Sequence, residues 1–166
     1  MFATGSENLG PHQWRILARR IEELTAESEV DGVVVTHGTD TLEEAAFFLD
    51  LVCKPKKPVV LTAAMRPSTA LSADGPANIF QAVLAATSPQ LQSHGLLVVM
   101  NGLVIPGWQI IKTDSVALNS FHAYPGGPTG KIVGESLLVF GSPSLSPLVG
   151  RFHNHLRNDD ELPLVD

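Results

Sequence analysis

The chain has 166 residues, 44% hydrophobic and 17% charged, enough for one sizeable core and about one domain. A net charge of −6, with no basic cluster to offset it, argues against general nucleic-acid binding. No run approaches the ~18 consecutive apolar residues that span a bilayer. Residues 1–7 (MFATGSE) show neither the charged nor the apolar region of a signal peptide, and the single Cys53 leaves no internal disulfide.

In chain order, Trp14, Leu17, Ile21 and Leu24 form one apolar helical stripe, with Arg15, Arg19, Glu22 and Glu23 around it. Asp31-Gly32 then precede Val33-Val34-Val35, three β-branched residues that read as a short buried strand. Residues 42–52 (LEEAAFFLDLV) read as a helix. Lys54, Lys56 and Lys57 fall in a solvated turn marked by Pro55 and Pro58. Residues 58–62 (PVVLT) make a second strand, and 65–75 a long polar loop. Pro76 marks a helix start, with Ile79, Val83 and Ala86 expected on its inner face. Residues 95–100 (GLLVVM) give a third buried strand. This βαβαβ order predicts an α/β fold, a mostly parallel open sheet flanked by helices with right-handed crossovers. Beyond residue 123 the pattern loosens into Gly/Pro turns, with short strands near 131–133 and 136–140. Residues 141–147 (GSPSLSP) and the acidic 158–161 (NDDE) read as the approach to a linker.

The chemistry concentrates in residues 36–41 (THGTDT), between the first strand and the helix that follows it. Open α/β sheets place their ligand crevices at that carboxyl end. The six residues hold three threonine hydroxyls, an imidazole and a carboxylate, and Gly38 lets the backbone turn sharply. Thr41 and Glu44 fit a Thr-x-x-Glu capping box, which would satisfy amides of the first helical turn and leave Thr41, Glu43 and Glu44 without a functional role. Capping uses one hydroxyl, however. His37, Thr39 and Asp40 are left over.

Other motifs carry less. Residues 126–131 (GGPTGK) fall one residue short of a phosphate loop, and Ile132 replaces the required Ser or Thr. His153-Asn154-His155 alternates like two metal ligands but has no third, so no metal site is assigned. No Gly-x-Ser-x-Gly elbow occurs, and Cys53 has no nearby base.

Residues 36–44 (THGTDTLEE), 64–75 (AMRPSTALSADG), 98–101 (VVMN) and Lys112-Thr113 together resemble the bacterial-type L-asparaginases, nearest the type II asparaginases and glutaminase-asparaginases. The resemblance implies hydrolysis of the side-chain amide of L-asparagine, and of L-glutamine in some members, without metal or organic cofactor. It implies an N-terminal α/β domain followed by a smaller C-terminal one, assembled as a homotetramer. Thr39 and Asp40 match the family's Gly-Thr-Asp motif, and Lys112 the lysine that completes its Thr-Lys-Asp set. Ser6 and Glu7 match the segment that holds the substrate's α-carboxylate and α-amino groups. Gly38 and Ala64 match backbone positions lining the pocket, and His37 takes a structural role. Type II likeness implies a periplasmic or extracellular location.

The chemistry stands on its own terms. An alkyl hydroxyl is a poor nucleophile at neutral pH and needs a neighbouring base or cation. Lysine supplies either, as an ammonium or, once desolvated to neutrality, as a proton acceptor. Asp40 can pair with a substrate ammonium and orient Lys112. Nothing in the sequence itself brings position 112 to position 39.

The chain also departs from the family pattern. The first-strand Thr-Gly-Gly-Thr-Ile-Ala motif with its usual nucleophile, and the mobile tyrosine loop after it, do not occur in these residues. The run 114–121 lacks the usual threonines. The expected layout is an N-terminal domain over 1–157, incomplete at its start, with 158–166 as linker and the beginning of a second domain. Against an asparaginase-class amidohydrolase stands a non-catalytic remnant that binds an acidic amino acid or a full-length relative. A tRNA-dependent amidotransferase subunit fits less well, given the acidic charge and the Met65-Arg66-Pro67-Ser68 loop.

Overall fold

Val33–Thr36 (β1), Val59–Thr62 (β2) and Leu96–Met100 (β3) lie side by side, parallel, with Val33 opposite Val59 and Val59 opposite Leu96. The structure is a computed structural model that describes residues 3–140. The linker segments expected at 141–147 and 158–161, the boundary at 157, and the His153-Asn154-His155 motif lie outside the described residues.

The two helices that connect these strands lie on opposite faces, although the strands follow one another in a single direction across the sheet. The two crossovers therefore have opposite hand, and the expectation of right-handed crossovers throughout is corrected. Pro11–Ala26 (α1) and Leu42–Val52 (α2) cover one face, where Leu17, Ile21, Leu42 and Leu49 pack on Val59, Leu61, Val98 and Met100. Gly75–Ala86 (α3) covers the other, where Ala82, Ala85 and Ala86 pack on Val60, Leu97 and Val99. Successive strand residues point to opposite faces, and both faces are covered. That is why these strands are apolar throughout rather than alternating.

The expected inner face of α3 holds for Ala86 and is corrected for Ile79 and Val83. Ile79 and Val83 are 46% and 47% exposed, whereas Asn78, Ala82, Ala85 and Ala86 face the sheet. Small residues let the helix sit close, and Asn78 is buried because its amide is fully used. Its Nδ2 donates to Ala63 O (2.9 Å) and Asp74 Oδ2 (3.0 Å), and its Oδ1 accepts from Asn101 N (3.0 Å).

The sheet continues beyond the expected strands. Asn101 and Gly102, with φ of 48° and 77°, turn the chain into Leu103–Pro106 (β4), antiparallel to β3. Asn-Gly is the residue pair such a left-handed two-residue turn prefers. Ile110–Lys112 (β5) and Phe121–Ala123 (β6) form a separate antiparallel ribbon. Gly130–Val133 (β7) and Ser136–Val139 (β8), the two short strands expected near 131–133 and 136–140, pair antiparallel and close the order β1-β2-β3-β4-β7-β8. At the opposite edge, β1 pairs among the described residues only with β2, and an open groove of about 530 Å³ runs between it and α1. Among the described residues, no helix is long and apolar enough to cross a membrane.

Candidate active site

Parallel pairing of β1 with β2 runs one residue past the strand, where His37 N donates to Thr62 O at 2.9 Å. The chain then leaves the sheet at its carboxyl edge. The His37 ring turns back on the backbone, with Nδ1 2.8 Å from Gly38 O, and does not reach Thr39 in a hydrogen bond among the described residues. Gly38 is obligatory for steric reasons, since a Cβ there would stand 2.4 Å from Ser6 Oγ.

Ser6 fills the space Gly38 leaves and is 4% exposed. Its Oγ accepts from Asp40 N (3.2 Å), and its carbonyl accepts from Thr41 Oγ1 (2.8 Å). The expected capping box is therefore not formed. Thr41 makes no side-chain cap to α2; its hydroxyl hydrogen is donated to Ser6 O, 35 residues away. The Glu43 carboxylate accepts the backbone N–H of Lys112. Both residues are tied to distant segments that local sequence does not reveal.

Lys112 comes from the end of β5, which the core residues Ile110 and Phe121 dock against α2. Its Nζ donates to Thr39 O at 3.1 Å and to Thr39 Oγ1 at 3.2 Å, and stands 3.7 Å from Asp40 Oδ1. The Phe121 ring lies below the ammonium, its centroid 5.8 Å away. The lysine side chain is 20% exposed and that of Asp40 63%, so the ammonium is largely sheltered while the carboxylate faces solvent.

The structure thus brings Ser6, Gly38, Thr39, Asp40 and Lys112 together. Glu7 is exposed and turned elsewhere, accepting from Asn8 Nδ2 (3.1 Å) and folding its carboxylate over Gly5. Ala64 follows β2 at the same sheet edge, against the start of α3 at Gly75. Beyond Ala64, the 65–75 loop is held by Asp74, whose two oxygens accept from Met65 N and Arg66 N, each at 2.9 Å. The α1–β1 groove reaches His37 and Gly38 but is not lined by Thr39, Asp40 or Lys112. Among the described residues, no group of three or more His, Cys, Asp or Glu side chains could hold a metal ion.

A family model for the N-terminal region of asparaginase matches residues 1–145. The chain belongs to the asparaginase family. Similar to it is L-asparaginase 2 of Bacillus subtilis (strain 168), 41% identical over 98% of this chain and 43% of that protein. A glutaminase-asparaginase of Pseudomonas fluorescens biotype A is 43% identical over 84% of this chain and 38% of its own length. The crystal structure of a probable cytoplasmic L-asparaginase from Campylobacter jejuni superposes with a TM-score of 0.80 at 41% identity, covering 83% of this chain and 42% of that one. The chain spans under half the length of these asparaginase-family proteins.

Proposed function

We propose that Thr39, Asp40 and Lys112 are the catalytic residues of an amidohydrolase site acting on the side-chain amide of L-asparagine or L-glutamine, without metal or organic cofactor. The observation that carries the reading is the contact of the sheltered Lys112 ammonium with Thr39 Oγ1 at 3.2 Å. In that arrangement the ammonium donates and the hydroxyl oxygen accepts, so the hydroxyl proton stays free to leave. Negative charge developing on Oγ1 is stabilised by a cation already in place, as electrostatic preorganisation requires. Thr39 passes its hydroxyl proton to the amide nitrogen and takes one from the attacking water, whose oxygen bonds to the amide carbon as the C–N bond breaks. The products are ammonia and the side-chain carboxylic acid, which then ionises, and Thr39 is restored.

Asp40 supports the same reading. Its exposed carboxylate can pair with a substrate's α-ammonium, while its backbone is fixed by Ser6. Ser6, Gly38 and Ala64 join Asp40 in the substrate-binding set, whereas Glu7 is turned away from the corner and would have to swing back to take part. Homo-oligomeric assembly belongs to the reading as well. Binding of an acidic amino acid without turnover is the second reading, favoured by the openness of Asp40.

The test grafts the matched 162 residues into the corresponding region of the Bacillus subtilis relative and measures ammonia release from asparagine and glutamine. Turnover abolished by Thr39→Ala and by Lys112→Met is the expected result. Turnover indifferent to both substitutions overturns the proposal. A folded graft that binds L-aspartate but releases no ammonia establishes the second reading instead.

A further inference from the structure

Lys112 reaches Thr39 from a part of the fold with little intrinsic rigidity. Strands β5 and β6 are three residues each and stand apart from the main sheet. A two-stranded ribbon is marginal in water unless something else holds it. Thr113 N donates across the ribbon to Ser120 O (2.8 Å). Neighbouring amides along an antiparallel strand point to opposite sides, so the Lys112 N–H points outward, away from β6. It meets the Glu43 carboxylate on the first turn of α2.

That placement is chemically specific. Glu43 stands four residues after Thr39, on the helix that begins where the Gly38-Thr39-Asp40 corner ends. One carboxylate therefore ties the corner to the strand carrying the lysine. The helix N-terminus favours negative charge at Glu43, and a charged acceptor strengthens the bond to the strand amide. The lysine tip is fixed separately, by Thr39 above and Phe121 below. Among the described residues, the Glu43 bond is the one that pins the strand backbone to α2 at the residue that bears the ammonium.

We propose that Glu43 is a positioning residue of this site, holding β5 at the place that sets the Lys112 ammonium on Thr39. The inference rests on the amidohydrolase reading for its consequence, but its structural part can be measured without turnover. The requirement is an acceptor of glutamate length. Glu43→Gln preserves reach and acceptor, Glu43→Asp withdraws the acceptor by one methylene, and Glu43→Ala removes it.

Hydrogen exchange of the Lys112 amide in the 166-residue chain, followed by NMR, reads the bond directly, with the β3 amides as the control for global stability. Protection at Lys112 is expected to persist in Glu43→Gln and to fall by at least about tenfold in Glu43→Asp and Glu43→Ala while β3 holds. The Lys112 Cε resonance should respond to Thr39→Val in the wild-type background and stop responding in Glu43→Ala. Unchanged Lys112 protection in both Glu43→Asp and Glu43→Ala overturns the proposal, as does a Thr39→Val response that survives Glu43→Ala. If Glu43→Ala fails to fold, the contrast between Gln and Asp decides alone.

In the active graft, Glu43→Ala should lower kcat roughly 10–100-fold with KM within about twofold, and Glu43→Gln should restore kcat. Unaltered kcat with a freed Lys112 amide overturns the positioning role and leaves the amidohydrolase reading standing. The converse is also distinguishable: turnover indifferent to Lys112→Met overturns the reading, and the exchange data still report whether Glu43 holds the strand.

Discussion

Thr41 donates its hydroxyl to the carbonyl of Ser6 at 2.8 Å instead of capping the helix it precedes. Together with the bond from Asp40 N to Ser6 Oγ, this clasps the N-terminal segment onto the corner that carries Thr39. The clasp fits only because Gly38 has no side chain. Gly38→Ala would set a Cβ 2.4 Å from Ser6 Oγ and 2.8 Å from Ser6 Cβ. It is expected to destabilise the fold by about 1–3 kcal/mol, as overpacking does. Urea unfolding checks this. A change below about 0.5 kcal/mol, the range of neutral surface substitutions, would show that the clasp is loose.

Thr39 and Lys112 are expected to behave as one unit. In the active graft, Thr39→Val and Lys112→Met should each lower kcat by at least about 100-fold. The double variant should lose no more than about tenfold beyond the worse single, because each substitution already dismantles the shared contact. Strictly multiplicative losses would mean that the two side chains act independently.

Asp74 is the anchor of the 65–75 loop. Partial burial opposes its ionisation, but the amides of Met65 and Arg66 and the Asn78 side chain outweigh that and hold the carboxyl below its usual value. Because the folded-state value is depressed, the stabilisation is present above about pH 4 and is lost as pH falls through the folded value. Asp74→Ala is expected to cost about 1–3 kcal/mol at pH 7 and to open the loop to proteolysis. Protease cleavage mapped by mass spectrometry should move to residues 65–73. Cleavage at wild-type rates contradicts the anchoring role.

Asp50 gives the opposite pH dependence. It is 4% exposed, its Oδ2 has no hydrogen-bond partner among the described residues, and burial raises its carboxyl from 3.8 to about 6, partly opposed by the amide of Leu96. The native state therefore holds the proton more tightly than the unfolded chain. Stability falls as pH rises from about 4 to 6, and the penalty is complete above that window. Asp50→Asn removes the charge and should gain on the order of 2–3 kcal/mol at pH 8 and almost nothing at pH 4. Equal effects at both pH values would contradict this assignment.

Much of the framework is legible in the residues themselves. The apolar runs of β1, β2 and β3 can be buried only inside a two-faced sheet, and α2 begins and ends at the residues its pattern marks. The asparaginase motifs place Thr39 and Asp40 at a strand's carboxyl end, where the structure has them. Asn101-Gly102 announces the β3–β4 turn in local chemistry as well, although β4 was not among the expected strands. The inner face of α3 is a different case. Apolar residues surround most of that helix, so periodicity cannot select a side, and close packing of alanines decides it.

The sequence by itself determined which residues form the parallel strands, where the reactive corner lies and which family the motifs resemble. Those are local or periodic properties, written in neighbouring side chains. Only the tertiary structure decided that Thr41 serves Ser6, that Glu43 serves Lys112, and that the Lys112 ammonium comes to rest on Thr39, 73 residues away. These pairings depend on how a small ribbon docks against α2 and how an N-terminal segment fits the gap at Gly38. Docking is set by the burial of Ile110, Phe121 and Ser6 together with segments far along the chain, and no local pattern encodes that sum.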